Sequence, residues 1–285
     1  MSRPRSLGLD RGVRRLDLET DRGTFAAWVC EPQKTSLPHG HVLLVPGFTG
    51  SKEDFAPLLP LLAEAGWSAG TYDQRGQFES PGAADDDYSL SGYAEDLLGV
   101  AAGLFGAEER VHLVGHSFGG LVAGVAAIEH PDAWASLTLM CSGPGAIGGE
   151  RGRTALEGAD LLEREGLEAA WRFREHDEQA RGLEPLPEEI AQFVHRRFLA
   201  SAPESLAAMS RLLGATPDRT ADLAALAMPT AVMRGENDAW PHATQESLAE
   251  ALGTRAVVIP KAAHSPAVEA PEATRDALVR ILLAS

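Results

Sequence analysis

Apolar positions along the chain follow two alternating rhythms. Short runs rich in Val, Leu and aromatic residues, bounded by Gly and Pro, predict strands over residues 24–30, 41–45, 67–72, 111–114, 137–140, 230–233 and 256–259. Between them, Leu58, Leu59, Leu61 and Leu62 sit at helical spacing in 55–65, and that run stops at Gly66, a helix terminator. Residues 93–105, 121–128, 242–252 and 271–283 carry the same signal, the last opened by Pro271 at a position that needs no N–H. Buried strands alternating with helices predict an α/β protein with a mostly parallel central sheet and helices on both faces. The alternation lapses between Gly145 and Ala225, where 161–174 and 188–199 read as helices and no strand pattern occurs. The expected organisation is a core built from 1–144 and 226–285, with a helical insertion at 145–225 that caps it.

Composition narrows the function. A chain of 285 residues, 44% hydrophobic, can bury one large core and a smaller appended lobe. A formal net charge of −16 argues against a nucleic-acid surface, which needs clustered Lys and Arg, and against a polyanionic ligand. Arg3, Arg5, Arg11, Arg14 and Arg15 crowd the N-terminus, but no apolar segment follows them, so they read as a ragged basic tail rather than a targeting signal. No run approaches the roughly 18 apolar residues of a membrane span. The expectation is a soluble, cytoplasmic monomer or homodimer acting on a small molecule, with no membrane or nucleic-acid partner. Cys30 and Cys141 form neither a disulfide framework nor a CxxC pair, and Asp85-Asp86-Asp87 reads as a solvated loop, so no metal and no cofactor are expected.

The candidate chemistry centres on Gly115-His116-Ser117-Phe118-Gly119. The run follows a strand and opens an apolar helix, which is the setting of a nucleophile elbow. There the serine occupies a strained turn, and the residues two before and two after must be small so that strand and helix can approach. Gly115 and Gly119 meet that need, and Gly120 extends it. A serine hydroxyl is a weak nucleophile at neutral pH, so it requires a general base, and the base requires an orienting group. Among the nine histidines, His39 and His41 stand at the start of an early strand, His112 inside one, His130 at a helix end, and His176 and His195 in the insertion. His116 adjoins the serine, but strand alternation turns it away. His264, just past the last strand, has the position expected of the base. Asp238, in Gly235-Glu236-Asn237-Asp238 after the preceding strand, is the candidate acid; Glu236 competes, although Asp238 lies further out along the loop. The substrate carbonyl oxygen turns negative as the serine adds to it and needs N–H donors. Phe118 can supply one, and Phe48, in Pro46-Gly47-Phe48-Thr49-Gly50-Ser51 after the strand 41–45, is the candidate for the second; Pro46 has no N–H to give.

These motifs, together with the Asp73-Gln74-Arg75-Gly76 turn ending in Ser80 and with Ala263-His264, resemble the α/β-hydrolase superfamily over residues 20–285. The similarity is to the branch with a helical cap: small esterases, proline iminopeptidases, non-haem perhydrolases and carbon–carbon bond hydrolases. It implies the α/β-hydrolase fold and a triad in the chain order Ser117, Asp238, His264. Two departures stand out. Pro46 replaces a His that many relatives carry, and Phe78 replaces the second Gly of Asp-x-Arg-Gly-x-Gly-x-Ser, which implies a reshaped loop near the cap. The resemblance gives Arg75 a packing role. Relatives that open epoxides or remove halide carry Asp at the elbow, so Ser117 speaks against both. The implied activity is hydrolysis of a small, uncharged or weakly charged ester, lactone or related carbonyl compound through an acyl-enzyme on Ser117. The alternatives are cleavage of a C–C bond in a diketone-type acid, which a basic residue near Ser117 would favour, a perhydrolase, an aminopeptidase, and a non-catalytic ligand-binding receptor. Trp171, Phe173, Phe193 and Phe198 in the cap, and Trp240 beside Asp238, are candidates for an apolar pocket wall, although aromatic residues so spaced also serve simply as core.

Overall fold

The computed structural model describes residues 8–10, 12–32 and 39–285. Eight strands form one sheet: β1 (Val13–Thr20), β2 (Gly23–Cys30), β3 (His41–Val45), β4 (Ser68–Tyr72), β5 (Val111–His116), β6 (Trp134–Met140), β7 (Thr230–Gly235) and β8 (Val257–Ile259). Their order across the sheet is β1-β2-β4-β3-β5-β6-β7-β8, antiparallel at β1/β2 and β2/β4 and parallel from there on. The strand β1 is absent from the expectation drawn from the sequence. It is an edge strand with a solvated face, so its apolar residues alternate with Arg14, Arg15, Asp17 and Glu19 instead of forming a continuous run. Arg14 and Arg15 therefore belong to the sheet and not to a ragged tail; Arg3, Arg5 and Arg11 lie outside the described residues.

Helices α1 (Leu58–Glu64), α2 (Leu90–Phe105) and α3 (Phe118–Glu129) connect the first strands. The single helix expected over 55–65 is split into a 3-10 turn, Lys52–Phe55, and α1, because Pro57 cannot donate the N–H that would join them. Between β6 and β7 run α4 (Gly149–Glu165), α5 (Leu167–Ala180), α6 (Glu188–Ala200), α7 (Pro203–Ala215) and the short α8 (Thr220–Ala224). The expected helix over 161–174 is broken at Gly166, whose φ of +82° ends α4 and starts α5 in a conformation that favours glycine. α9 (His242–Ala251), α10 (Pro266–Glu269) and α11 (Pro271–Leu283) complete the chain. Among the described residues no helix is long and apolar enough to cross a membrane.

Side-chain alternation assigns the two faces of the sheet. In β3, Leu43 and Val45 pack with residues of α2, α3 and α9, whereas Val42 and Leu44 pack with α1 and α11. All four are fully buried, at roughly 1.5–3 kcal/mol each. The helices between β6 and β7 hold a third cluster of their own, which includes Leu162, Trp171, Phe193, Val194, Phe198 and Leu206. Strand order reverses about β3, which has β4 on one side and β5 on the other. The loops leaving the carboxyl ends of β3, β5, β7 and β8 therefore open along one edge at the topological switch point, where α/β sheets place their ligands.

Candidate active site

Ser117 sits between the last residue of β5 and the first of α3 with φ +55° and ψ −118°, a backbone conformation strained for any residue but glycine. Its N–H donates to Met140 O (2.9 Å), and its carbonyl accepts from Ser142 Oγ (2.7 Å), so neighbouring β6 and the second residue past it fix the turn. The flanking glycines are required by contact. A Cβ on Gly115 would lie 2.4 Å from Gly119 O, and one on Gly119 would lie 2.3 Å from Val45 O. Ser117 is thus raised at the head of a helix that packs directly on the strand before it.

His264 follows β8 and Asp238 follows β7, and the structure brings both to Ser117. Asp238 Oδ1 lies 2.6 Å from His264 Nδ1, and His264 Nε2 lies 3.0 Å from Ser117 Oγ. A carboxylate only accepts, so Nδ1 carries the proton and Nε2 is left to accept from the serine hydroxyl. Asp238 also accepts from Gln245 Nε2 (2.7 Å) and from Trp240 N–H (3.2 Å). Burial pushes this carboxyl up, but the bond and charge of His264, with Gln245 and Trp240, outweigh it and hold the group below the usual carboxylate range. Glu236 turns away, accepting from Lys261 N–H (2.9 Å). His116, expected to turn away from the serine, packs its ring against that of His264 (centroids 5.0 Å) and donates Nε2–H to His264 O (2.6 Å); burial and the neighbouring His264 pull its pKa down to about 4.

The loop after β3 lies against the elbow, since Val45 pairs with Gly115 and a Cβ on Gly47 would lie 3.0 Å from Ser117 Cβ. Gly47, Phe48 and Thr49 line the same cavity as Ser117. Phe118 opens α3, where the first N–H groups of a helix have no intrahelical partner. Two side chains that sequence reasoning passed over secure the loop: Gln74 Nε2 donates to Pro46 O (2.8 Å), and Gln77 Nε2 donates to Gly47 O (2.9 Å). Both belong to the Asp73–Ser80 turn, but their partners lie 28 and 30 residues away. Phe78, the departure in that turn, has φ +43° and stacks edge-on against Phe193 of α6 at 5.6 Å, so the reshaped loop meets the insertion. Arg75 packs as implied, gripping Asp96 through Nε (2.7 Å) and Nη2 (2.5 Å) beneath the ring of Phe25.

A cavity of about 620 Å³ opens above Ser117 and His264. Trp240 lines it, as do Phe173 of α5 and Phe198 of α6. Trp171 and Phe193 do not; they pack in the insertion's own core, because the helical turn that aims Phe173 at the cavity aims Trp171 at α6. Arg174 Nη1 donates to Thr49 Oγ1 (2.8 Å), tying α5 to the loop after β3. His116, Cys141 and His264 bring possible ligand atoms within 4.8 Å of one another. They do not suit a metal: His116 Nε2 and both ring nitrogens of His264 already hold hydrogen bonds, and burial pushes the Cys141 thiol up, away from the thiolate a metal needs.

The sequence profile of the Alpha/beta hydrolase family matches residues 42–277. The chain is 30% identical over 213 residues to the pimeloyl-acyl-carrier-protein methyl ester esterase of Aeromonas hydrophila, covering 70% of this chain and 79% of that relative. A stretch of 99 residues, 35% of this chain, is 41% identical to a Variovorax paradoxus protein named carbamate hydrolase RutD, of which it spans only 36%. Among solved structures, the fold is similar to a thermophilic esterase from Thermogutta terrifontis, with a TM-score of 0.75 and 26% identity over 95% of this chain and 98% of that one. It shares its fold equally with the enol-lactonase of Burkholderia xenovorans LB400, with a TM-score of 0.75 and 20% identity over 95% and 100% of the two chains. The profile match across most of the chain, on a sheet of this topology, means that the chain belongs to the alpha/beta hydrolase family and is a hydrolase.

Proposed function

We propose that the chain hydrolyses a small ester, lactone or related carbonyl compound through an acyl-enzyme on Ser117. The observation that carries this reading is the unbroken relay from Asp238 through His264 to Ser117 Oγ, at 2.6 and 3.0 Å, beneath a cavity lined by both apolar and charged side chains. Ser117 Oγ attacks the substrate carbonyl while His264 Nε2 takes its proton, and Asp238, already ionised, stabilises the imidazolium that forms. The N–H groups of Phe118 and Phe48 receive the oxyanion, a contribution of about a hundredfold to a thousandfold in rate per donor. His264 returns the proton to the leaving alcohol, then deprotonates a water that releases the acid and regenerates Ser117. Residues 145–225 act as a cap that supplies the upper wall of the cavity. An esterase among the relatives supports the choice of bond.

Ser117→Ala should abolish turnover of short chromogenic esters and labelling by a fluorophosphonate while leaving the melting temperature near that of the parent. Turnover or labelling that survives the substitution would overturn the assignment. A second reading, cleavage of a C–C bond in a diketone-type acid, draws support from the three arginines that line the cavity, Arg151, Arg174 and Arg181. Release of a carboxylic acid from such a diketone, faster than from any ester in a parallel panel, would favour it.

A further inference from the structure

The charged side chains around the cavity are matched to one another with one exception. Arg174 bonds to Thr49 and to Glu178 (3.1 Å), and Arg181 pairs with Asp177 (2.9 Å). Glu269 accepts the N–H groups of Ala263 (2.6 Å) and Ser265 (3.1 Å), and Asp238 is held by His264 and Gln245. Arg151 lines the cavity and is half-buried, yet among the described residues it has no hydrogen bond and no ion pair. Its surroundings are unfavourable to a cation. It stands in the first turn of α4, at the positive end of the helix dipole, and burial together with the like charge of Arg181 lowers its pKa, outweighing the opposite pull of Asp177 and Asp238, neither of which bonds to it. A guanidinium does not escape by losing its proton, and a desolvated charge without a counter-ion is costly to keep. An anion brought in from outside would supply the counter-charge. A guanidinium fork matches a carboxylate in two parallel N–H···O bonds.

We propose that Arg151 is a carboxylate subsite, and that the preferred substrate is a small ester carrying one free carboxylate remote from its scissile carbonyl. This rests on Ser117 being the nucleophile. It also sharpens the substrate class: the overall acidity of the chain favours an uncharged ligand, and Arg151 makes a local exception for a single negative charge placed at the cap end of the cavity.

The test uses matched p-nitrophenyl esters, the mono-esters of succinic through adipic acid and the straight-chain neutral esters of the same length. The parent enzyme should prefer the acids in kcat/KM. In Arg151→Met, which keeps the length and loses the charge, the ratio of acid to neutral ester should fall roughly tenfold to a hundredfold, chiefly through KM, and Arg151→Lys should restore part of it. An unchanged ratio would overturn the subsite while leaving the serine mechanism standing. Calorimetric binding of the monomethyl esters of the same acids to Ser117→Ala, and to Ser117→Ala combined with Arg151→Met, reads the subsite without turnover. Equal affinity in the two proteins refutes it, and weaker binding by the double variant supports it even where no ester is hydrolysed and the serine mechanism fails.

Discussion

His116 gives the molecule a pH dependence whose size can be worked from its surroundings. The imidazole is buried, and its pKa is drawn from 6.5 to about 4 by burial and by His264 beside it. In the unfolded chain the ring regains its ordinary value. Between pH 6.5 and 4 the unfolded state therefore binds a proton that the native state refuses, and folding becomes less favourable as the pH falls. The contribution is intact above about pH 6.5 and declines by ~1.4 kcal/mol per unit below it; the decline ends near pH 4, where the native protein also takes the proton. The whole window amounts to ~3 kcal/mol, and the portion from pH 6.5 to 5 to ~2 kcal/mol. His116→Gln keeps an N–H donor at the reach of Nε2 and removes the titration. Urea unfolding of both proteins across this range gives a double difference in which the carboxylates and histidines common to both cancel. The parent should lose ~2 kcal/mol more than the variant between pH 6.5 and 5. Parallel curves of stability against pH would refute the reasoning.

Other residues make further tests. Gln77→Leu removes the donor that holds Gly47 O, so kcat on a chromogenic ester should fall roughly tenfold with KM within about twofold; a rise in KM at unchanged kcat would show that Gln77 acts on substrate binding instead. Gly119→Ala drives a Cβ to within 2.3 Å of the backbone oxygen of Val45, and the variant should lose more than ~3 kcal/mol of stability; a parental melting temperature would mean that α3 can shift away from β3. Arg197→Met strands the buried carboxylate of Asp54, now bonded to Arg197 Nη1 at 2.7 Å, and should destabilise by ~3–5 kcal/mol in chemical unfolding. Adding Asp54→Asn should recover part of that loss, and no recovery would locate Arg197's contribution outside the pair.

The sheet was legible in the sequence wherever strands are buried on both faces. In β3 and β5 nearly every position is buried, so an apolar run bounded by glycine and proline marks them with little ambiguity. β1 escaped because one of its faces meets water and its charges interrupt the run. The elbow was legible for a different reason: two backbones in contact exclude any Cβ, so chemistry and sterics write the same short pattern at Gly115, Ser117 and Gly119. Asp238 and His264 were readable by their place after successive strands. Gln74 and Gln77 were not, because a glutamine that supports a loop 28 or 30 residues away carries no local signal.

The cavity wall was the least legible part, and helix periodicity explains why. The residues of α5 that face the cavity, Ala170, Phe173, Arg174, Asp177 and Glu178, with Arg181 just beyond its end, form a single stripe at intervals of three and four. Those of α4, Arg151, Thr154, Ala155, Gly158 and Leu162, form another. By composition each stripe mixes charged, small and apolar side chains, which is how a solvent-facing helix surface reads, while the faces that look apolar, with Trp171 and Phe193, are the ones the insertion buries in its own core. A charged stripe facing a cavity and one facing bulk water are the same pattern in sequence; they differ only in what lies opposite. Placing α4 and α5 above Ser117 turns such a stripe into a set of charges that must be balanced within a confined space, and there the missing counter-ion of Arg151 acquires a meaning it could not have on an open surface.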